Sequence, residues 1–164
     1  GIKTFIIHAR KAMLGKYTPK QNLNIPPLKY DYVYKLKEDF SDLNIVINGE
    51  ISSIEQSLSH LKYVDGVMMG REAYDNPYLL KDIDTAIFKK KTKIKSRKEI
   101  LMSYLPYLET EHNQGVKLVY ATKHLMGLFK GLKGAKEIRR FLTKIDSIEN
   151  PIEQYKQLAI GFNE

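Results

Sequence analysis

The chain has 164 residues, no cysteine, and 27 lysines and arginines against 19 acidic residues, which gives a formal net charge of +8 at pH 7. The lack of cysteine excludes disulfides, thiolate metal sites and a cysteine catalyst on this chain. With no signal peptide and no apolar run of about eighteen residues, we expect a cytoplasmic protein without membrane contact. The excess of positive charge favours an anionic partner, with nucleic acid as the first candidate.

Basic residues are concentrated in three segments. Residues 1–30 and 89–98 contain bases and no acids, and residues 117–140 contain seven bases and one acid, Glu137. Each segment alone is consistent with an ordinary solvated surface. Three of them in one short chain favour binding to a polyanion.

The first half of the chain alternates between predicted strands and helices. Apolar runs at 4–7, 45–47 and 66–69 predict buried strands. Helical spacing of apolar residues predicts helices at 30–40 and from Ser52 or Ser53 to about Leu61, where His60 is expected to face solvent. Strand–helix alternation predicts parallel strands with helical crossovers. Because three such units cannot close an eight-stranded barrel, we expect this to be the later part of a larger one.

Two further segments of this half have their own character. Residues 11–29 contain three prolines and are expected to form a long loop, and a loop of this length inside a compact domain is often functional. Residues 72–76 are expected to form a short helical turn, followed by a helix over 78–88 with Leu79 and Leu80 facing inward.

The second half contains only predicted helices. Ser96 is expected to cap a helix that Pro106 interrupts and kinks. Helices are also predicted over 116–129, from Ala135 to between Leu142 and Lys144, and from Pro151 onward. Within the second of these four helices, the hydroxyl of Thr122 is expected to bond to a carbonyl one turn earlier. We therefore predict a partial β/α barrel at 1–88, a basic linker at 89–95 and an all-α helical domain at 96–164.

The predicted strands end in polar or glycine-containing tripeptides and dipeptides. His8-Ala9-Arg10, Asn48-Gly49-Glu50 and Gly70-Arg71 follow the three strands in order. Carboxyl ends of neighbouring parallel strands meet at one rim, where glycines admit a ligand to the backbone and arginine offers donors matched to a phosphate. This pattern predicts a phosphate site. For residues 64–71 alone, the alternative is a strand, a turn and a surface arginine.

Several long segments resemble the tRNA-dihydrouridine synthases, and most closely their A-type bacterial subfamily. The matching segments are HARKAMLGKYTPKQN, IPPLKYDYVYKLKEDF, IVINGEI and DGVMMGREAYDNPYLL, with HLMGLFKGLKGAKEIRRFL resembling the helical carboxyl-terminal domain of that subfamily. The resemblance implies an FMN-dependent oxidoreductase on a TIM (β/α)8 barrel, which reduces uridine to dihydrouridine in tRNA with NADPH as electron donor.

The resemblance also implies roles for individual residues. Family positions that contact the flavin and its phosphate fall on His8, Asn48, Gly49, Glu50, Gly70 and Arg71. Family positions that contact tRNA fall on Lys20, Lys136 and Arg139, and Arg140 adjoins them. Lys136 and Arg139 are three residues apart and are expected to share a helix face.

The chain departs from the family pattern in three respects. Glu50 stands where relatives usually carry a second glycine, and a carboxylate beside a phosphate is unfavourable unless its side chain turns away. Leu23 stands where relatives often carry a tRNA-contacting arginine. The family's catalytic cysteine belongs to earlier barrel strands, so no catalytic residue is expected in this chain.

These departures leave three functions open. The chain is expected to be a fragment of the flavin enzyme that is inactive alone. It could instead act as a non-catalytic RNA-binding fragment, or belong to a flavin barrel oxidoreductase with a small substrate, against which the basic helical domain argues. As a partial barrel, it is expected to need the missing amino-terminal half or to associate with itself across open strand edges.

Overall fold

A computed structural model describes residues 1–163. Packing divides the chain into two compact units, one over Gly1–Ala73 and one from Tyr74 onward. Each unit has its own hydrophobic core. The two units are therefore described separately.

The first unit contains a parallel sheet. Strands β1 (Thr4–His8), β2 (Asn44–Asn48) and β3 (Gly66–Met68) lie in the order β1-β2-β3 within the described residues. Helix α2 (Tyr30–Asp39) crosses from β1 to β2, and α3 (Ile54–His60) crosses from β2 to β3. The predicted alternation of parallel strands and helices is confirmed.

Short helices complete the first unit. Helix α1 (Pro19–Asn22) lies in the long basic segment, where Thr18 and Gln21 form a capping box. Helix α4 (Arg71–Asp75) follows β3 at once. The segment over 11–29 is thus a loop with one helical turn, since Pro19 is tolerated at the first helical position.

The central strand is the most deeply buried. Ile45 and Ile47 of β2 are almost completely buried, together with Val33 from α2 and Val64 before β3. In β1, by contrast, Ile6 is 59% exposed. The expectation of three buried strands is therefore met only in part, since β2 alone contains buried residues and every residue of β1 and β3 is at least partly exposed.

His60 corrects one prediction. It is 7% exposed rather than solvent-facing, and its Nδ1 lies 2.7 Å from the hydroxyl of Tyr34. Helix α3 buries Ile54, Ser57 and His60, whereas the apolar side chain of Leu58 is exposed. The small Ser57 fits this face because its hydroxyl donates to the Ser53 carbonyl, and the imidazole finds a polar partner.

The second unit begins with short helical segments. Pro77–Asp82 is a 3-10 helix and α5 covers Ile83–Ala86, in place of the single predicted helix over 78–88. Leu80, expected inside, is exposed. These segments belong to the unit that begins at Tyr74, and the 3-10 helix over 77–82 packs against the segment over 123–129.

Three longer helices build the core of the second unit. Helix α6 (Arg97–Asn113) starts at a Ser96–Glu99 capping box and continues through Pro106, which therefore does not end it. Helix α8 (Ala135–Thr143) matches its predicted span, and α9 (Pro151–Gly161) begins at the predicted residue. Tyr155 of α9 is fully buried against α6, and its hydroxyl donates to the Leu101 carbonyl at 3.0 Å.

The predicted helix over 116–129 is only partly α-helical. Helix α7 (Val119–Thr122) is one turn long and runs into a 3-10 helix over Lys123–Phe129. Thr122 is fully buried and donates to the Leu142 carbonyl of α8 at 3.0 Å, instead of bonding within its own helix. A short 3-10 helix also covers Ile145–Ser147.

Gly127 is packed tightly in this 3-10 helix. A Cβ atom placed on it would collide with the Tyr74 carbonyl oxygen and would lie 2.8 Å from Cδ of Pro77. Only glycine lets the start of the second unit lie so close to this segment. Among the described residues, no helix is long and apolar enough to cross a membrane.

Candidate functional site

The carboxyl ends of the three strands lie side by side. In the sheet register His8 is opposite Asn48, and Asn48 is opposite Met68. The side-chain amide of Asn48 donates to the Met68 carbonyl at 2.8 Å, which fixes the end of β3 against β2. The predicted convergence of the three strand ends at one edge is therefore present in the structure.

A tight turn follows β2. Gly49 has φ 139°, and a Cβ atom there would lie 2.8 Å from Cδ2 of Leu28, so the position requires glycine. The Tyr30 hydroxyl donates to the Gly49 carbonyl at 2.6 Å, and the Ala9 amide donates to the Asn48 carbonyl at 2.7 Å. The turn is thus held from α2 and from the end of β1.

Arginines from two strand ends meet the carboxylate of Glu50. Oε1 of Glu50 lies 2.8 Å from Nη2 of Arg10 and 3.9 Å from Nη2 of Arg71. The side chain of Arg10 is only 5% exposed, whereas that of Arg71 is 61% exposed. The phosphate prediction requires the side chain of Glu50 to turn away from this site. Instead, its carboxylate pairs with Arg10 and Arg71.

The long basic segment is also joined to this edge. Nη1 of Arg71 donates to Oδ1 of Asn24 at 2.8 Å, and Nδ2 of the same Asn24 donates to the Lys20 carbonyl. Nε of Arg10 donates to the Pro26 carbonyl at 2.6 Å. Lys20, which is exposed on α1, is thereby linked to Arg71 through the side chain of Asn24.

Electrostatics at the edge favour a neutral imidazole. Burial lowers the pKa of His8, the positive charges of Arg10 and Arg71 lower it further, and Glu50 opposes them. A neutral His8 can donate from one ring nitrogen and accept at the other. The edge thus combines an imidazole, an amide, an exposed guanidinium and two glycines without side chains.

The geometry suits a phosphate monoester in most respects. A Cβ atom on Gly70 would meet only Nδ2 of Asn48, at 3.9 Å, so the space beside Arg71 is open. Arg71 presents the planar donor fork that matches phosphate oxygens. The carboxylate of Glu50 is the one group of this set whose charge opposes an anion.

Basic residues of the second unit form a separate candidate surface. Lys136 and Arg140 are exposed on α8, while Arg139 is half-buried and its Nε donates to the Met126 carbonyl at 3.0 Å. Part of the Arg139 guanidinium is therefore engaged in holding α8 against the 3-10 helix. Lys136 and Arg140 keep their charge available on this surface.

Three residues outside the predicted set of flavin contacts contribute to the edge. Arg10, Asn24 and Tyr30 anchor Glu50, Arg71 and the Gly49 turn respectively. Arg10 follows the strand-end histidine, so the strand-end pattern contained a signal for it. Nothing in the local sequence marks Asn24 or Tyr30, since their partners lie 47 and 19 residues away.

Comparison with known proteins gives consistent matches. The family model described as "Dihydrouridine synthase (Dus)" matches residues 1–161. The chain is 49% identical over 144 residues to the tRNA-dihydrouridine(20/20a) synthase of Shewanella oneidensis, covering 88% of this chain and 43% of that relative. It is 45% identical to the protein of the same name from Vibrio cholerae, again over 88% of this chain and 44% of the relative.

A similar match extends to the tRNA-dihydrouridine(20/20a) synthase of Salmonella typhimurium, at 47% identity over 85% of this chain and 42% of that relative. The chain thus spans less than half the length of the curated relatives it matches. The family match nevertheless covers nearly all of its residues, with no long segment left outside. The chain belongs to the dihydrouridine synthase family.

Proposed function

We propose that this chain is the flavin-phosphate-binding and tRNA-binding part of a tRNA-dihydrouridine synthase. The parallel sheet would be the carboxyl-terminal part of a (β/α)8 barrel, and the helical unit from Tyr74 onward, which includes the basic segment at 89–95, would be the tRNA-binding part. The observation that carries the proposal is the convergence of His8, Asn48 and Arg71 at one end of three parallel strands. Ligand sites of β/α barrels lie at this end of the strands.

The residues at this edge would hold FMN by its phosphate. Arg71 would donate to the phosphate oxygens, Gly49, Glu50 and Gly70 would offer backbone amides, and His8 and Asn48 would contact the ligand next to them. Bound FMN supplies the hydride chemistry, with NADPH as electron donor, and the protein supplies position and electrostatics. This chain would hold the cofactor without a catalytic residue of its own, so it would be inactive alone.

The basic surfaces would bind tRNA. Lys20 on the loop and Lys136 and Arg139 on α8 would contact phosphates, with an affinity that falls as salt rises. The target uridine must leave the base stack to reach a flavin at the strand ends, and phosphate contacts would hold the RNA while it does so. A cytoplasmic location follows from this substrate.

The exposed side of β1 would be covered in the complete protein. Ile6 is 59% and Phe5 is 37% exposed, an unusual situation for a strand of a β/α barrel. We assign this surface to the remaining strands and helices of the barrel. In their absence a second copy of the chain would be the competing occupant.

The test uses the complete protein of which we propose this chain is a part. It should purify with flavin absorbance and form dihydrouridine in tRNA when NADPH is supplied. Arg71→Ala should weaken FMN binding about 10- to 100-fold, because it removes a charged hydrogen-bond donor to the phosphate. The control Lys35→Ala removes an exposed cation of α2 that pairs with Asp39 and should leave FMN binding unchanged.

A second arm separates cofactor binding from RNA binding. Lys136→Ala should weaken tRNA binding at low salt without changing flavin content, whereas Lys156→Ala, exposed on α9, should have no effect. A colourless protein, or FMN affinity unaffected by Arg71→Ala, would disprove the cofactor role. Flavin retained with no affinity for tRNA would favour a flavin oxidoreductase with a small substrate.

A further inference from the structure

Glu50 has an unusual position for a carboxylate in a phosphate site. Its Oε1 contacts Nη2 of Arg10 at 2.8 Å and lies 3.9 Å from Nη2 of Arg71. Its side chain is 44% exposed, so it borders solvent on the same side as the exposed Arg71. The carboxylate is therefore placed where an anionic ligand of Arg71 would arrive.

The buried partner explains why Glu50 stays there. Arg10 is 5% exposed, and its Nη1 is buried without a hydrogen-bond acceptor among residues 1–163. A buried guanidinium is unfavourable unless an anion compensates its charge, and Glu50 supplies that anion. The shorter of the two contacts is the one to Arg10, so the carboxylate is held chiefly from inside the protein.

The backbone at this position points the same way. Glu50 has φ 52°, in the left-handed region that residues with a Cβ atom rarely adopt. Glycine would fit this conformation without strain. The conformation of the turn would favour glycine at this position. The ion pairs with Arg10 and Arg71 are therefore what favours a glutamate here.

We infer that Glu50 is an internal counter-anion of the phosphate site, which competes with a phosphate monoester for Arg71 and lowers the affinity of the site. The inference rests on the proposed function and adds to it a residue that tunes cofactor affinity. When the ligand binds, the carboxylate keeps Arg10 and gives up Arg71. The ligand must therefore replace an existing ion pair and accept a negative charge nearby.

Two consequences distinguish this role from a purely structural one. The effect should depend on the charge of the ligand, because the carboxylate repels a phosphate and not a neutral ring or sugar. It should also depend on the charge of residue 50 and not on its shape, because a glutamine can still accept a hydrogen bond from Arg10. The charge of Glu50 and the phosphate of the ligand can thus be removed one at a time.

The experiment compares the complete protein, of which we propose this chain is a part, with its Glu50→Gln variant by NMR titration of the backbone amides of residues 48–71. The probes are FMN, inorganic phosphate and riboflavin, which lacks the phosphate. Removing one negative charge close to a phosphate should tighten binding of FMN and of inorganic phosphate about tenfold. Riboflavin binding should not change.

Two further variants complete the design. Glu38→Gln removes the same charge at an exposed position of α2, where Glu38 pairs with Lys35 at 3.7 Å, and should leave every affinity as in the wild type. Glu50→Gly removes the charge and relieves the backbone strain of the positive φ at this position. It serves as the second variant if Glu50→Gln does not fold. Thermal unfolding followed by circular dichroism checks the fold of each.

Equal or weaker phosphate binding by Glu50→Gln would overturn the inference while leaving the phosphate site in place. A tenfold gain for riboflavin as well as FMN would also overturn it, because the gain would then not arise from charge. If neither chain binds FMN or phosphate, the proposed phosphate site itself fails. The two failures are therefore distinguishable.

Discussion

The buried residue His60 makes the stability of the first unit depend on pH. His60 is 7% exposed, its Nδ1 contacts the Tyr34 hydroxyl, and its ring lies 4.5 Å from that of Tyr30. Burial lowers the pKa of His60 below its ordinary value of 6.5. Because Tyr30 in turn bonds to the Gly49 carbonyl, this buried cluster supports the turn at the candidate site.

The lowered pKa predicts a loss of stability in mild acid. Below about pH 6.5 the unfolded chain binds a proton at residue 60 that the folded chain resists, so the free energy of unfolding falls as the pH falls toward the folded pKa. In His60→Gln this contribution should vanish, and the difference in stability between pH 7.5 and 5.5 should shrink. The exposed His112→Gln should behave as the wild type.

Urea unfolding followed by the amide NMR signal of Ile47 measures this effect in the first unit. Other titratable groups of the first unit, His8 among them, are common to both chains and cancel in the comparison. An identical pH dependence in the wild type and in His60→Gln would contradict the assignment to His60.

At the scale of the elements, the sequence patterns predict the order of strands and helices better than the kind of helix. The ends of the strands, the spans of α2 and α8 and the start of α9 lie within about one residue of their predicted positions, because apolar spacing, caps and prolines act locally. The segment over 123–129 is instead a 3-10 helix, and its Gly127 packs against the Tyr74 carbonyl, a contact between residues far apart in sequence that local patterns do not reveal. Apolar residues three and four apart are compatible with either helix type.

The candidate site shows the same limit. Parallel pairing of strands with polar ends brings His8, Asn48 and Arg71 together, and that pairing can be predicted from hydrophobic runs alone. The salt bridge from Glu50 to Arg10 and the anchoring of Arg71 by Asn24 cannot, because both depend on how residues 11–29 fold over the sheet edge. The prediction that His60 faces solvent is wrong because the buried face of α3 depends on a partner, Tyr34, in another helix.

One inter-helix hydrogen bond predicts a measurable loss of stability. Thr122→Val keeps the shape of the side chain but leaves the Leu142 carbonyl, in the last turn of α8, without its buried donor. The free energy of unfolding should fall by about 1–3 kcal/mol. Thr143→Val removes an exposed hydroxyl that bonds within its own helix and should change stability by less than about 0.5 kcal/mol.

Chemical denaturation of both variants, followed by far-ultraviolet circular dichroism, measures the two losses. Equal losses would show that burial of the Thr122 hydroxyl contributes nothing beyond an ordinary surface hydrogen bond.

At the scale of the whole molecule, the first unit presents an incompletely covered sheet. Among residues 1–163, strand β1 pairs with β2 and with no other strand, and its Ile6 side chain is 59% exposed. Unpaired strand edges and exposed apolar side chains promote association. The 164-residue chain should therefore associate in solution in a concentration-dependent manner.

Sedimentation velocity over a range of concentrations tests this prediction. Ile6→Lys should shift the distribution toward the monomer, because a charge on an edge strand disfavours pairing. Ile160→Lys alters a comparably exposed position on α9 and should leave the distribution unchanged. A wild-type chain that remains monomeric at all concentrations would contradict the prediction.

The close packing at Gly127 bears on how this protein can be divided. Since the Tyr74 carbonyl and the ring of Pro77 rest on that glycine, the residues preceding the lysine-rich linker are already fastened to the helical unit. Proteolysis within 89–95 would cut the chain inside the helical unit and would not release that unit intact. The 74–88 peptide would stay bound to it after cleavage. An expression boundary that preserves the helical unit must therefore be placed ahead of Tyr74.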